Sequence, residues 1–326
     1  MFKKIALFLL FPLILLFGNS DRPPVAYPFL EKQNVQTFIK MMHHRYGFSY
    51  AYLEGVLSQA KLDRDTLARY EGKFKKNSTI GTWERFKLHV VNPQTFQEAR
   101  LFKKKYRHTL AKASKRYKVE SDYLVGFLGV ESHFGNYMGD YNTLSALTTL
   151  AFFPNRMQKL FASELKHLFL FAREKRYDIT KLEGSFAGAM GCVQQLPSVA
   201  RKFRQDFDGD GASIWDIEDC IGSIAKFLHH HGWKKGEVVA IEAEFKGKRF
   251  HRLKTGHKRR YPLKKLKQAG VIWHQPFRES SAYLLKLRNR HYDELYLGGS
   301  NFRILTRYNN ATTYGMAIVK IAQAIK

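Results

Sequence analysis

Cysteine is nearly absent from this chain: Cys192 and Cys220 are the only two in 326 residues. Two thiols cannot build a disulfide framework or a four-cysteine zinc site. They leave one disulfide and a pair of buried free thiols as open alternatives. Acid is also scarce, with 28 Asp and Glu against 55 Lys and Arg and a formal net charge of +27. A field of that sign draws the protein toward polyanions such as nucleic acid, anionic lipid or an acidic cell-wall polymer. No Walker loop, dinucleotide fingerprint or serine–histidine–acid elbow occurs, so those phosphate-binding and acyl-transfer chemistries have no motif to stand on. There is no internal repeat and no low-complexity tract. A composition 44% hydrophobic and 14% aromatic is too apolar for a disordered protein. A chain of this length can bury a sizeable core, in one large domain or a few subdomains.

The first residues, MFKKIALFLLFPLILLFGNSDRPP, read as a targeting segment. Lys3 and Lys4 precede an unbroken apolar stretch from Ile5 to Phe17, too short for a comfortable membrane span, and Gly18 and Ser20 are small enough for a cleavage site. Residues 1–20 are therefore expected to be a signal peptide cut near Ser20, with an uncleaved inner-membrane anchor as the alternative. No cysteine follows the apolar run, which argues against a lipoprotein. The expected location is the periplasm, and export argues against nucleic acid as a partner.

Helical spacing recurs from Val35 to about Leu67 and again from Pro93 to Tyr117, with a short aromatic segment, IGTWERFKL (80–88), between them. From Ser121 to Trp233 the pattern is largely helical with Gly-rich turns, and SELKHLFLFAREK (163–175) is an amphipathic helix. Residues 236–300 change character: VVAIEAEF alternates like a strand, and Lys246 to Gly270 carries no acid at all. That basic run is either a solvated loop-rich surface or an attachment to a polyanion. The closing TTYGMAIVKIAQAIK is helical again. The chain is thus expected to be mostly α (α+β) with a small β-containing insertion. Its parts are taken as the signal 1–20, an N-terminal helical region 21–120, a core 121–235, the basic insertion 236–300 and a C-terminal segment 301–326.

Within the core, GVESHFG (129–135) places Glu131 four residues after Phe127 and eight after Tyr123, so an acid continues an apolar stripe on one helix face. Ser121 signals the helix start and Gly135 a stop. Such a glutamate either bends out to water or pairs with one of the abundant cations, or it sits in partly apolar surroundings, where desolvation raises its pKa toward that of a general acid. GSFAGAMGCVQQLP (184–197) packs small residues around Ser185 before Gln194. This suits either tight backbone packing or close approach to a sugar with uncharged hydrogen-bonding groups. DFDGDGASIWD (206–216) sets Asp206, Asp208 and Asp210 at positions 1, 3 and 5 of a calcium loop. The twelfth position is Ile217 rather than a glutamate, flanked by Asp216 and Glu218. A doubtful calcium site, with Asp216 as a further ligand, and an Asp-rich capping turn both remain open. Adjacent His229, His230 and His231 point about 100° apart on a helix and cannot jointly chelate one ion well.

In order along the chain, GVESHFG, GSFAGAMGCVQQLPS, DFDGDG, HGW (231–233) and TRYNNATTYGMAI (306–318) resemble the lytic murein transglycosylases of the membrane-bound B type. The resemblance runs from about residue 30 to the C-terminus and implies a lysozyme-like catalytic core. It implies that Glu131 is the single acid/base. Ser185 and Gln194 would line the sugar site, Tyr308 and Asn309 would stand beside the carboxylate, Tyr314 would be another cleft tyrosine, and Arg156 would contact substrate. Several positions depart from the family pattern. The arginine expected after Arg156 is Met157, two cleft tyrosines are Phe86 and Phe227, which would keep a stacking surface for sugar and lose a hydroxyl, and Cys192 and Val193 replace the usual residues before Gln194. The implied activity is cleavage of the glycosidic bond between N-acetylmuramic acid and N-acetylglucosamine in peptidoglycan without hydrolysis and with no required cofactor. The implied partners are peptidoglycan glycan strands and cell-wall synthesis proteins. A hydrolytic muramidase, with Asp140 as the nearest second acid in sequence, and a non-catalytic basic wall-binding protein are the competing readings.

Overall fold

The computed structural model describes residues 23–70 and 81–326, so the expected signal segment lies outside the described residues. Among the described residues no helix is long and apolar enough to cross a membrane. The chain divides into two compact units that do not follow sequence order: residues 81–134 with 221–326, and 23–70 with 135–220. The segment 21–120, read above as one helical region, contributes to both, and so does the span 121–235.

The unit built from 23–70 and 135–220 is helical. Its centre is the amphipathic helix Gln158–Lys175, whose Phe161, Leu165, Leu168 and Phe169 are fully buried. It packs against Thr143–Phe152, a helix buried along its whole length. Asn142 starts that helix by accepting the N–H of Ser145, satisfying one of the amides a helix start leaves open. The Gly-rich stretch is held by backbone-to-backbone approach. A Cβ on Gly184 would come 2.3 Å from the Ala189 carbonyl oxygen, and one on Gly191, at φ +73°, would come 2.0 Å from that of Ile214. Only glycine fits either place. Cys192 and Cys220 are joined in a disulfide with Cα atoms 6.2 Å apart, which ties this stretch to the first turn of the helix Ile217–His230.

The other unit combines helices with a five-stranded antiparallel sheet. The strand order is Arg260–Pro262, Ser281–Arg288, Asp293–Gly298, Ala240–Phe245, Val271–Ile272. One core of this region gathers Ile241, Phe250, Tyr261, Leu266, Leu284, Leu295 and Leu297. The basic run supplies a 3-10 turn at Arg249–Arg252, an edge strand and the helix Leu263–Gln268, joined by largely exposed loop. Arg260 is not a free surface cation: it pairs with Glu279 at 2.5 Å and donates to the Ser281 carbonyl. The helix Thr82–His89 is pinned to the sheet by Trp83 Nε1 and Lys87 Nζ, both donating to Glu294. The helices Ser121–Ser132 and Thr312–Ala324 cross closely at Gly126, where a Cβ would stand 2.7 Å from the Ile318 carbonyl oxygen.

Candidate active site

Glu131 occupies the last turn of Ser121–Ser132, a helix in which every residue from Tyr123 to Val130 is buried. The helix stops before Gly135. His133 takes the left-handed C-cap at φ 51°, and Phe134 and Gly135 follow with φ 61° and 90°. Phe134 then folds its ring back beneath Gly129, where a Cβ would meet it at 2.7 Å. This turn ends the helix one residue beyond Glu131.

The Glu131 side chain keeps some contact with solvent, yet protein atoms crowd its carboxyl. That desolvation pushes its pKa up to about 8, partly opposed by the Tyr314 hydroxyl, which donates to Oε1. Burial, and then the adjacent Glu131, raise the Tyr314 hydroxyl well above its ordinary value, so it stays a donor. A carboxyl protonated near neutral pH and held by one neutral donor can deliver a proton and later take one back.

Aromatic rings frame this pair. Phe127 stands edge-on to Tyr308 at 4.7 Å and to Tyr314 at 5.9 Å, and Phe227 is edge-on to Tyr308 at 4.9 Å. Phe227 and Phe86 were expected to offer stacking surfaces to sugar. Both are buried instead, Phe227 against Tyr308 and Phe86 stacked on Trp83, so what they supply is support behind other rings. The carboxamide oxygen of Asn309 is buried with no hydrogen-bond partner among the described residues. An orphaned acceptor of that kind costs about 1–3 kcal/mol unless a ligand or water fills it.

The other unit carries the remaining expected residues. Ser185 Oγ accepts the N–H groups of Ala187 and Ala189 at 3.3 and 3.1 Å, which shapes its own turn and leaves its hydroxyl proton to donate. Gln194 adopts φ +46°, strained for a non-glycine residue. Its amide nitrogen donates to the carbonyls of Met138 (2.7 Å) and Gly191 (3.0 Å), while its buried Oε1 has no partner among the described residues. Gln195, the next residue of the same motif, is 1% exposed, and neither of its amide atoms has a partner among the described residues. Arg156 is exposed, its guanidinium 5.8 Å from the Tyr70 ring centre. Asp140 is exposed and accepts from Tyr137 at 3.3 Å. Asp206, Asp208 and Asp210 bring carboxylate oxygens within 4.8 Å of one another. Asp216 does not join them. Its Oδ1 accepts the N–H groups of Glu218 and Asp219 and so caps the helix Ile217–His230.

Residues 30–323 match the family described as the transglycosylase SLT domain. The chain belongs to that family. It is 35% identical over 305 residues to the membrane-bound lytic murein transglycosylase B of Escherichia coli K12, covering 91% of this chain and 84% of that protein. The E. coli lytic transglycosylase Slt35, solved in complex with bulgecin A, superposes with a TM-score of 0.86 at 35% identity, covering 93% of this chain and 95% of that one. The same enzyme in complex with calcium gives 0.84. SltB1 of Pseudomonas aeruginosa, also a lytic transglycosylase, gives 0.83 at 31% identity, covering 90% and 97%. The fold is that of the lysozyme-like lytic transglycosylases, α+β, and the protein is a peptidoglycan lytic transglycosylase. The hydrolase and wall-binding readings are not favoured.

Proposed function

We propose that Glu131 is the one acid/base of the reaction, acting first as acid and then as base. The observation that carries this is its desolvated carboxyl, protonated near neutral pH and bonded by Tyr314. Glu131 passes its proton to the oxygen linking muramic acid C1 to the departing N-acetylglucosamine as that C–O bond breaks. The carboxylate then takes the proton of the muramyl C6 hydroxyl, whose oxygen closes on C1. One C–O bond breaks, one forms, the proton returns to Glu131 and no water is consumed. The balance closes on the substrate and one carboxyl, so no second acid and no cofactor enters. Asn309 is proposed to accept a hydrogen bond from the sugar. Ser185, Gln194 and Arg156 are proposed contacts on the motif match, supported by the unpartnered Gln194 Oε1.

The deciding variant is Glu131→Gln, which keeps shape and deletes proton transfer. Turnover of purified murein should fall by about 10⁴-fold or more with binding retained. Substantial residual turnover would remove Glu131 from this role.

Export through residues 1–20 is part of the proposal, supported by the charge and apolar pattern there. Periplasmic amino-terminal sequencing that finds the chain starting near Asp21 would bear it out, and an intact Met1 would favour the anchor. For calcium, the three clustered carboxylates suit a hard cation. Asp216 is engaged in capping, however, and Asp219 is held by the N–H groups of Phe207 and Ser213, both at 2.6 Å. Three side chains fall short of a shell of 6–8 oxygens, so binding is proposed to be weak and no step runs through the ion.

A further inference from the structure

The basic segment Lys246–Gly270 contains one buried histidine. His257 is 5% exposed and lies in the loop between the turn Arg249–Arg252 and the strand Arg260–Pro262. The loop has a firm base. Gly256 donates its N–H to the Leu284 carbonyl at 2.7 Å, and Tyr261 Oη donates to the Lys254 carbonyl at 3.1 Å. From there the imidazole reaches the start of the helix Thr312–Ala324: Nε2 lies 2.8 Å from Asn310 Oδ1 and Nδ1 lies 3.0 Å from Thr312 Oγ1. An amide oxygen only accepts, so Nε2 carries the proton and Nδ1 accepts from the threonine hydroxyl. One neutral tautomer satisfies both ends. Burial, with Lys258 and Arg303 adding to it and the Asn310 bond opposing it, keeps the ring below its usual pKa and hence neutral.

The residues it grips stand in a critical place. Asn310 follows Asn309, and Thr312 begins the helix that presents Tyr314 to Glu131 less than one turn later. We propose that His257 is a positioning residue for the reaction, a clamp through which the sheet-bearing insertion sets the placement of Tyr314, and so of Glu131, as well as of Asn309. The inference rests on the reading of Glu131 as acid/base. It assigns the insertion a part in catalysis that its surface charge does not suggest. Misplacing a catalytic group by about 1 Å costs on the order of 10²-fold in rate, so a clamp acting through Asn310 and Thr312 can matter as much as a contact.

The test compares wild type with His257→Ala, His257→Gln and Asn310→Ala, using soluble murein glycan oligomers well below each variant's Tm. For His257→Ala we expect kcat to drop by about 10- to 100-fold with KM within about twofold. His257→Gln should recover part of the loss because its amide can still meet Asn310. The double variant His257→Ala/Asn310→Ala should lose no more than the larger single loss. Titration of the Glu131 carboxyl by NMR, which needs no turnover, reads the link directly. The titratable groups facing it are Tyr314 and, across the Phe127 ring, Tyr308, while His133 in the next turn is engaged with Glu98 at 3.4 Å. If Tyr314 shifts away, the bond that lowers the Glu131 pKa weakens and the midpoint moves up. A lowered Tm with unchanged kcat and an unmoved midpoint would overturn the inference. A midpoint that moves while kcat does not would uphold the clamp and fail the acid/base reading instead.

Discussion

The Tyr314 hydroxyl donates to Glu131 Oε1 across 183 residues of sequence. Among the described residues it is the one hydrogen bond that offsets the desolvation of that carboxyl. The pair sets the proton affinity of the site: burial raises it, and the phenol restrains it. Tyr314→Phe should therefore raise the Glu131 pKa further and move the alkaline limb of kcat/KM to higher pH. A hydrogen bond to a charged group contributes about 1.5–3 kcal/mol, so kcat should fall by roughly 10- to 100-fold. A pH–rate profile superimposable on wild type would show that the phenol does not tune the acid.

Glu131 also makes stability depend on pH. Its pKa is about 8 in the folded protein against 4.5 ordinarily, so between those values the native state binds more protons than the unfolded chain. Stability from this group is whole below pH 4.5 and is lost as pH rises through about 8, at about 1.4 kcal/mol per pH unit at most. Glu131→Gln should remove the dependence. Its Tm advantage over wild type should be small at pH 5 and grow toward pH 8. Equal advantages at both pH values would contradict the buried-carboxyl account.

We expect the exposed cations of the basic run to aid attachment to murein, whose stem peptides carry carboxylates. Such attraction is screened over about 10 Å at 0.1 M salt. Binding to sacculi should weaken steeply with salt, and Lys248, Arg249, Arg252 and Arg259 changed together to Gln should flatten the dependence. Arg260 is left out because its pairing with Glu279 is structural. A wild type insensitive to salt would exclude the idea.

For the acidic loop, calcium should raise Tm only slightly even at millimolar concentration, since three side-chain ligands make a thin shell. A large rise abolished by Asp208→Asn would mean that Asp216 or Asp219 leaves its capping role to complete the site.

Local pattern and distant packing contributed differently to what could be read beforehand. The spacing Tyr123–Phe127–Glu131 placed the acid on an apolar helix face because helical periodicity is a local property, and the helix is there. The stop expected at Gly135 came early because His133 accepts a left-handed backbone, which residue preference assigns to glycine first. Asp216 could serve as a ligand or as a cap, and composition does not choose; the N–H groups of Glu218 and Asp219, which donate to its Oδ1, do. Cys192 and Cys220 stayed undecided until the fold brought their Cα atoms within 6.2 Å. The Tyr314–Glu131 bond and the His257 clamp were beyond local reading, since each depends on segments tens to hundreds of residues apart. Family resemblance pointed to Tyr314, and nothing pointed to His257.

The most direct test of the central claim is the chemistry of the product. Wild-type protein should digest purified murein in heavy-oxygen water, and the released muropeptides should be weighed by mass spectrometry. If the C6 hydroxyl closes on C1, every new end is 1,6-anhydromuramic acid, lighter by one water than a hydrolytic product and free of label. Asp140→Asn should give the same products at nearly the same rate, and Glu131→Gln almost none. Reducing-end muropeptides carrying the heavy oxygen, or an Asp140→Asn protein as inactive as Glu131→Gln, would contradict the one-carboxyl mechanism.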